Sequence, residues 1–438
     1  MKNVYVTHNH PYLEMIKIKS GDVVVLKPNL VKQYNGRNPG EWECVITSSQ
    51  LIREVCEYVC NQLRITGKVY ICDAPQTDSS FEKVAALVNL YGIASDCHAK
   101  YGTDIEVVDM RNEEWTNVEE VIVERRKLPG DPNGTCRFNL GKSSYFYGHK
   151  GEGNYYGADY DYKSLNSHHK GELQEYLICG TPIKGDVFIS LPKMKTHKKT
   201  GVTLNLKNLV GINADKNWLP HHTFGSPKMG GDEYPDTSIK RYIETWCSKL
   251  IKHVALELPV VGTKIARIAR KKGKKVFGDY DTTIRSGNWY GNDTTWRMVL
   301  DLNRCLLYGN YDGSLRSSNP KRYYSIIDGV IAMEGFGPMD GDPRECGVYI
   351  AGDDPALTDT VAATLMGFDW EKIPVIRECF NQIEMPISTS HPDEINIVSD
   401  VEEWNGSLKH LQESHHFDFA PHFGWKGHIE LPNYVEKK

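Results

Sequence analysis

The stretch DVVVLKPNLV, residues 22–31, joins a run of β-branched apolar residues to a polar Pro-Asn ending. This pattern predicts a buried strand that runs into a loop. Residues 67–75 and 185–197 repeat the pattern, and residues 49–65 and 79–93 have the spacing of helices. The alternation of strand and helix predicts an α/β fold, with a mostly parallel or mixed sheet that carries helices on both faces.

The order of these segments also suggests how the chain is divided. Between the two groups of strands lie a long polar loop and residues with helical spacing. We therefore predict a first part of the α/β domain at 1–212, a loop and largely helical insertion at 213–310, a second part of the domain at 311–400, and a C-terminal tail at 401–438.

Composition excludes several classes of protein. The 438 residues carry a net charge of −5, which argues against a polycation that binds nucleic acid. The sequence contains no apolar run of about 18 residues and no signal-peptide-like start, so we expect a cytoplasmic protein without a spanning helix. The eleven cysteines form no CxxC pair, and the closest two are Cys56 and Cys60. We therefore expect reduced thiols and no iron–sulfur cluster.

Polar side chains follow each predicted strand. In parallel sheets, ligands bind beyond the carboxyl ends of the strands. If the sheet is parallel, these side chains converge on one edge. They are Lys27 and Asn29, Asp73 and Gln76, Lys193, Lys195, His197 and Lys198, Asp328 and Glu334, and Asp353, Asp354 and Asp359.

Lysine at the end of a buried strand needs a counter-charge, because burying an unpaired ammonium group is costly. One explanation is that the lysines bind an anionic substrate, a phosphate or a carboxylate. The other is a structural network in which each lysine pairs with an aspartate. The candidate substrate-binding residues are Lys27, Asn29, Gln76, Lys193, Lys198, Asn205, Lys207, Asn208, Glu334 and Gly337.

The candidate catalytic residues are His197, Asp73 and Lys195. Lysines flank His197, and like charge disfavours its protonation, so we expect a lowered pKa and a role as general base with Asp73. The alternative is a loop histidine that caps a backbone carbonyl. Gly337 lies in a Gly-rich loop, 335–341, which could approach a phosphate or form a plain tight turn.

A divalent metal, Mg²⁺, Mn²⁺ or Zn²⁺, is a further hypothesis. Imidazole and carboxylate groups suit these ions. No spacing in the sequence matches a known metal motif. The candidate ligands are Asp328, Asp353, His221, His222 and Asp232.

Residues 262–275 form a basic segment with apolar positions at helical spacing. A cationic helix of this kind can make peripheral contact with an anionic membrane. A solvated basic face is the alternative. We expect no nucleic-acid partner.

Five motifs occur in order along the chain. They are LKPNLV (26–31), DAP (73–75), LPKMKTHKKTGVTLNLKNLVG (191–211), IIDGVIAMEGFGP (326–338) and AGDDPALTDTVAATLMGF (351–368). Together they resemble the family catalogued as domain of unknown function 362. Some members carry ferredoxin-type cysteine clusters, which this sequence lacks, so an electron-transfer role does not carry over. The insertion at 213–310 resembles a subgroup associated with bacterial surface-polysaccharide gene clusters.

These observations favour an enzyme that acts on a phosphorylated or carboxylated small molecule, a transferase or a hydrolase. Group transfer in cell-envelope polysaccharide metabolism is the most specific form of this hypothesis. The alternative is a non-catalytic binding module that holds a lipid- or nucleotide-linked intermediate for a partner enzyme. A redox accessory role is the third candidate, and the absence of clustered cysteine motifs counts against it.

Overall fold

The computed structural model describes residues 2–7, 11–118, 121–157, 161–236, 238–243, 245–247, 250, 283–382 and 384–436. The strands are β1 (Lys2–Thr7), β2 (Val23–Pro28), β3 (Lys68–Asp73), β4 (Asp104–Asp109), β5 (Glu113–Val118), β6 (Val121–Lys127), β7 (Thr135–Asn139), β8 (Tyr155–Tyr156), β9 (His169–Lys170), β10 (Leu173–Cys179), β11 (Val187–Leu191), β12 (Lys193–His197), β13 (Gly201–Thr203), β14 (His222–Thr223), β15 (Arg322–Glu334), β16 (Asp342–Gly352), β17 (Ile395–Ser399) and β18 (Gly406–Ser407). The helices are α1 (Ser49–Leu63), α2 (Phe81–Leu87), α3 (Leu90–Tyr101), α4 (Tyr162–His168), α5 (Gly180–Lys184), α6 (Asn205–Asn208), α7 (Thr295–Tyr308), α8 (Pro355–Leu365), α9 (Pro374–Arg377) and α10 (Leu408–Glu413).

The central sheet is mixed, which confirms the predicted α/β class. Its strand order is β18-β17-β1-β16-β15-β11-β2-β3-β4. Strands β15, β11, β2, β3 and β4 run parallel to one another, whereas β16 runs antiparallel to both of its neighbours. The carboxyl ends of the parallel strands therefore meet at one edge, and β16 ends at the opposite edge.

Helices cover both faces of this sheet and form two apolar cores. The side chain of Ser48 caps α1 by accepting the backbone N–H of Leu51. The helix then buries residues three and four positions apart, so that one stripe packs with α3 against the sheet. Helices α6, α7 and α8 contribute to the core on the other face.

An extension of the sheet carries the most basic part of the chain. Strand β15 is 13 residues long and continues beyond β11 to pair with β12. Pro192 separates β11 from β12, and its carbonyl accepts the backbone N–H of Asp328 at 2.8 Å. The sequence KMKTH of β12 is therefore held directly beyond the carboxyl edge, with every residue buried.

The predicted division into a domain, an insertion and a tail stays a prediction. Residues 401–436 pack on the domain, since β18 extends the sheet and the indole N–H of Trp425 donates to the carbonyl of Lys198 at 2.9 Å. Of the predicted insertion, the structure describes β14, α7 and short turns, while the basic segment 262–275 lies outside the described residues. No helix in the described part of the chain has the length and hydropathy needed to cross a membrane.

Candidate anion-binding site

The carboxyl edge is formed by the ends of β2, β3 and β11 together with β12 and α6. The first lysine at this edge, Lys27, is buried and lies 2.6 Å from a carboxylate oxygen of Asp73. Its ammonium group also donates to the side-chain oxygen of Asn208 at 3.0 Å. The other oxygen of Asp73 accepts the backbone N–H of Leu30 at 2.8 Å. Each of the two charges therefore has a partner of opposite sign within the protein.

Gly211 allows this ion pair to form. A Cβ atom at this position would lie 2.0 Å from Oδ1 of Asp73 and 2.6 Å from Nζ of Lys27. The carbonyl of Gly211 accepts the backbone N–H of Ala74 at 2.8 Å. The segment after α6 thus lies directly on the pair, and only glycine fits there.

A second lysine, Lys193 of β12, is also buried with an aspartate. Its Nζ atom lies 2.9 Å from Oδ2 of Asp328, whose side chain is 0% exposed. Asp328 further accepts the backbone N–H groups of Ser48 at 2.7 Å and Val330 at 3.2 Å. For Lys27 and Lys193, the structure therefore agrees with the ion-pair alternative.

Two further lysines lack such a partner. Lys195 is 0% exposed, and its ammonium group donates to the backbone carbonyl of Val45 at 2.8 Å. Burial lowers its pKa to about 7, and Lys193 and Lys207 add to this shift. Lys207 of α6 is half-buried; burial and the charges of Lys216 and Lys27 lower its pKa to about 7. Within the described residues, no carboxylate lies at ion-pair distance from Lys195 or Lys207.

His197 ends β12 and is buried in the same positive surroundings. Burial and the charges of Lys207, Lys198 and Lys199 lower the pKa of His197 well below its usual range. Its Nδ1 atom accepts the backbone N–H groups of Lys199 at 3.0 Å and Thr200 at 3.2 Å. The neutral ring therefore carries its proton on Nε2 and offers a ligand a hydrogen-bond donor. This arrangement does not support the predicted role of His197 as a general base, nor the alternative in which it caps a carbonyl.

Several other predicted ligand-binding side chains form hydrogen bonds within the protein. The side-chain oxygen of Asn29 accepts the N–H of Val31, and Asn208 donates to the carbonyl of Lys27. The amide of Asn205 donates to Asp359, which also accepts two backbone N–H groups at the start of α6. The side-chain oxygens of Gln76 and Asn205 are both buried without a hydrogen-bond partner.

The remaining predicted ligands lie around β12. Glu334 accepts the backbone N–H of Ala420 at 3.0 Å, and burial raises its pKa. The carbonyl of Gly337 accepts the N–H of Lys198 at 3.2 Å, and a Cβ atom on this glycine would lie 2.0 Å from the Thr196 carbonyl oxygen. Gly337 thus serves close packing against β12, which agrees with the tight-turn alternative.

The predicted metal ligands do not come together. Asp353 and Asp354 follow β16, which is antiparallel, so both lie at the edge opposite to Asp328; this part of the convergence prediction is wrong. The exposed Asp353 pairs with Lys2 at 3.3 Å. Asp232 accepts two backbone N–H groups and the hydroxyl of Thr294.

The two histidines of the predicted metal set also have other surroundings. The ring of His222 stacks on Tyr156 with centroids 5.4 Å apart. His221 contacts the carbonyl of Leu219 through Nδ1 at 2.8 Å; burial, Lys207 and Lys199 lower its pKa to about 3. Within the described residues, the one group of at least three His, Cys, Asp or Glu side chains with ligand atoms close together is Cys56, Cys60 and Cys97.

Sequence reasoning missed His422 and Lys199. His422 comes from the predicted tail; burial, Lys198 and Arg37 lower its pKa to about 3. The ammonium group of Lys199 donates to the carbonyl of Ser286, which belongs to the predicted insertion. Neither arrangement could be predicted from local sequence patterns, because each brings together segments that are far apart in the chain.

Comparison with known proteins gives one weak relative and one family. The chain is 39% identical over 77 residues to the thylakoid-associated protein sll1697 of Synechocystis sp.. The match covers 16% of this chain and 24% of the relative, so the chain spans about a quarter of that protein. No solved structure matches the chain.

The family match includes the lysine-rich segment of the carboxyl edge. The motifs at 26–31 and 73–75 precede the matched residues, and the polysaccharide subgroup stays a prediction. The resemblance is confirmed in its coarser form, since residues 149–364 match the model of the family described as "Domain of unknown function (DUF362)".

Proposed function

We propose that this protein binds an anionic small molecule, phosphorylated or carboxylated, at the carboxyl edge through Lys195 and Lys207. The supporting observation is the contrast among four lysines of one edge. Lys27 and Lys193 each have an aspartate within 2.9 Å, whereas Lys195 and Lys207 have no carboxylate partner in the described chain. An anion would supply the missing counter-charge.

The physical reason for such binding is the cost of burying an ammonium group without a counter-charge. An ammonium group in a low-dielectric environment is destabilised, and this lowers the pKa of both lysines to about 7. A bound anion stabilises the protonated form of each lysine, and the protonated lysines in turn strengthen the binding of the anion. The Nε2–H group of His197 would add a hydrogen bond to the same ligand.

The same lysines provide a route to catalysis. A lysine with a pKa of about 7 is a usable base or nucleophile at neutral pH. In the catalytic form of the proposal, Lys195 takes up or delivers the proton while Lys207 holds the anionic group. Group transfer in cell-envelope polysaccharide metabolism is the most specific version, and it is supported by the resemblance of the insertion alone.

The second candidate is a binding module that holds a lipid- or nucleotide-linked intermediate for a partner enzyme. The orientation of His197 favours it, because the Nδ1 lone pair is occupied by two backbone N–H groups and the ring presents no base. A cytoplasmic location with peripheral membrane contact through 262–275 belongs to this proposal as well.

The test uses sulfate and pyrophosphate as probes in calorimetric titrations of the full chain. We expect Lys207→Met and Lys195→Met each to weaken binding about tenfold or more, since a hydrogen bond to a charged group contributes about 1.5–3 kcal/mol. The matched control is Lys83→Met, because Lys83 is an exposed lysine of α2. Equal affinity in all three variants would overturn the proposal.

The pH dependence sharpens this test. Sulfate does not change its charge between pH 6 and 8, so any change in affinity comes from the protein. Affinity should fall as the pH rises through about 7, because the two ammonium groups lose their protons. An enzyme would turn over a bound substrate, and Lys195→Met would abolish this turnover. A binding module would bind the same compound without turnover.

A further inference from the structure

Three cysteines meet between two helices on one face of the sheet. Cys56 and Cys60 lie one turn apart on α1, and Cys97 lies on α3. All three are at most 1% exposed. The sulfur atoms of Cys56 and Cys60 are 3.9 Å apart, and all three sulfurs lie within 4.8 Å of one another.

We propose that Cys56, Cys60 and Cys97 form a three-coordinate thiolate site for one soft metal ion of the Cu(I) type. An ion at the centre of three sulfurs, with metal–sulfur distances of about 2.3 Å, places the sulfurs about 4.0 Å apart. One sulfur pair already has this separation. The other two need to close by less than about 1 Å, which side-chain rotation can supply.

The donor set selects the kind of ion. Thiolate sulfur is a soft ligand and favours Cu(I) over Mg²⁺, Ca²⁺ or Mn²⁺. Zinc prefers four ligands in a tetrahedron, and this group contains three. A buried site with three sulfurs therefore fits an ion that accepts low coordination. Binding displaces the thiol protons to solvent.

An ion pair joins the two helices beside this group. Arg53 pairs with Asp96 at 2.9 Å, which joins α1 to α3 beside Cys97. Asp96 is 62% exposed, so this pair lies on the solvent side of the group.

The alternative explanation is that the three thiols simply pack as small apolar side chains. The two explanations differ in whether the chain takes up a metal ion. The site is also independent of the carboxyl edge, since it uses none of the residues proposed to bind the anion. Failure of one proposal would leave the other untouched.

The test is an anaerobic titration of the fully reduced chain with Cu(I), in competition with a coloured Cu(I) chelator. The background carries Cys247→Ser, because Cys247 is exposed and would bind metal by itself. We expect one ion per chain and three sulfur neighbours by X-ray absorption. Cys97→Ala and Cys60→Ala should each lower the affinity about 100-fold.

The matched control is Cys305→Ala, which removes a buried thiol of α7 outside the group. It should bind Cu(I) like the parent chain. Equal affinities for Cys97→Ala and Cys305→Ala, fewer than three sulfur neighbours, or no uptake would overturn the proposal. If one alanine variant fails to fold, the sulfur count of the parent chain and the other variant still decide.

Discussion

The lysines of the carboxyl edge fall into two kinds that share one sequence motif. Lys193 and Lys195 are two residues apart on β12, and both are buried. Lys193 meets a buried carboxylate, whereas Lys195 meets a backbone carbonyl and has a pKa lowered to about 7. The difference shows that burial alone does not make a lysine structural; the partner decides whether the charge is neutralised within the protein.

The largest expected effect is loss of the paired charge. Lys193→Met leaves Asp328 buried without its cation, which should lower the free energy of unfolding by about 3–5 kcal/mol. Chemical denaturation at pH 7 measures this. The double variant with Asp328→Leu should recover most of the loss, because it removes both charges. A single variant that loses under about 1 kcal/mol would place Lys193 in the same class as Lys195.

The next effect concerns the pair of Lys27 and Asp73. Gly211→Ala puts a methyl group 2.0 Å from the Asp73 carboxylate, so the pair or the loop must shift. We expect a loss of about 1–3 kcal/mol in unfolding free energy. Gly40→Ala is the control, since a Cβ atom there has nothing within 4 Å and its stability should stay near the parent value. Similar values for both variants would contradict the tight contact.

The third effect is a pH dependence specific to the unpaired lysine. The pKa of Lys195 is about 7 in the folded chain and about 10.5 when unfolded, so the unfolded chain binds more protons between these values. Stability from this residue therefore rises with pH above 7, by up to about 1.4 kcal/mol per pH unit. Lys195→Met should remove the contribution of Lys195 to this slope and leave that of Lys207, whose pKa is also lowered to about 7, whereas Lys83→Met should keep both contributions. Parallel denaturation curves from pH 7 to 9 measure the difference.

The smallest effect is expected at the opposite edge. Asp353 is 48% exposed and pairs with Lys2, so Asp353→Asn should change the unfolding free energy by less than about 1 kcal/mol. Sulfate affinity should also stay unchanged, because Asp353 lies away from the carboxyl edge. A loss of sulfate or metal binding in this variant would restore the role predicted from the sequence.

Local patterns predicted several elements well. The helical spacing of residues 49–65 corresponds to α1 (Ser49–Leu63), and α7 (Thr295–Tyr308) lies in the segment 213–310, where helical spacing was also found. The stretch at 79–93 was harder, since it breaks at Asn89 in a left-handed conformation and becomes α2 and α3. Periodicity reports the buried face of a segment, and this face is a local property.

The site was predicted less completely. The sequence placed Lys27, Asp73 and Lys193 at strand ends, and these residues do meet at one edge. The sequence also placed Asp353 at this edge. The side chains of a strand alternate between the two faces of the sheet whichever way the strand runs, so the sequence of β16 does not show that it is antiparallel. The proximity of His422, from the C-terminal segment, to Lys198 could not be predicted from the sequence either.

Sequence patterns are enough to predict the α/β class, the buried stripes of the helices and the lysines at strand ends, because each follows from residues close together in the chain. Which lysines are paired with an aspartate depends on the folded chain. Lys193 and Asp328 are 135 residues apart, and their contact depends on the pairing of β12 with β15. Charge neutralisation inside a protein acts over a few ångströms, so it depends on distances that only the folded chain sets.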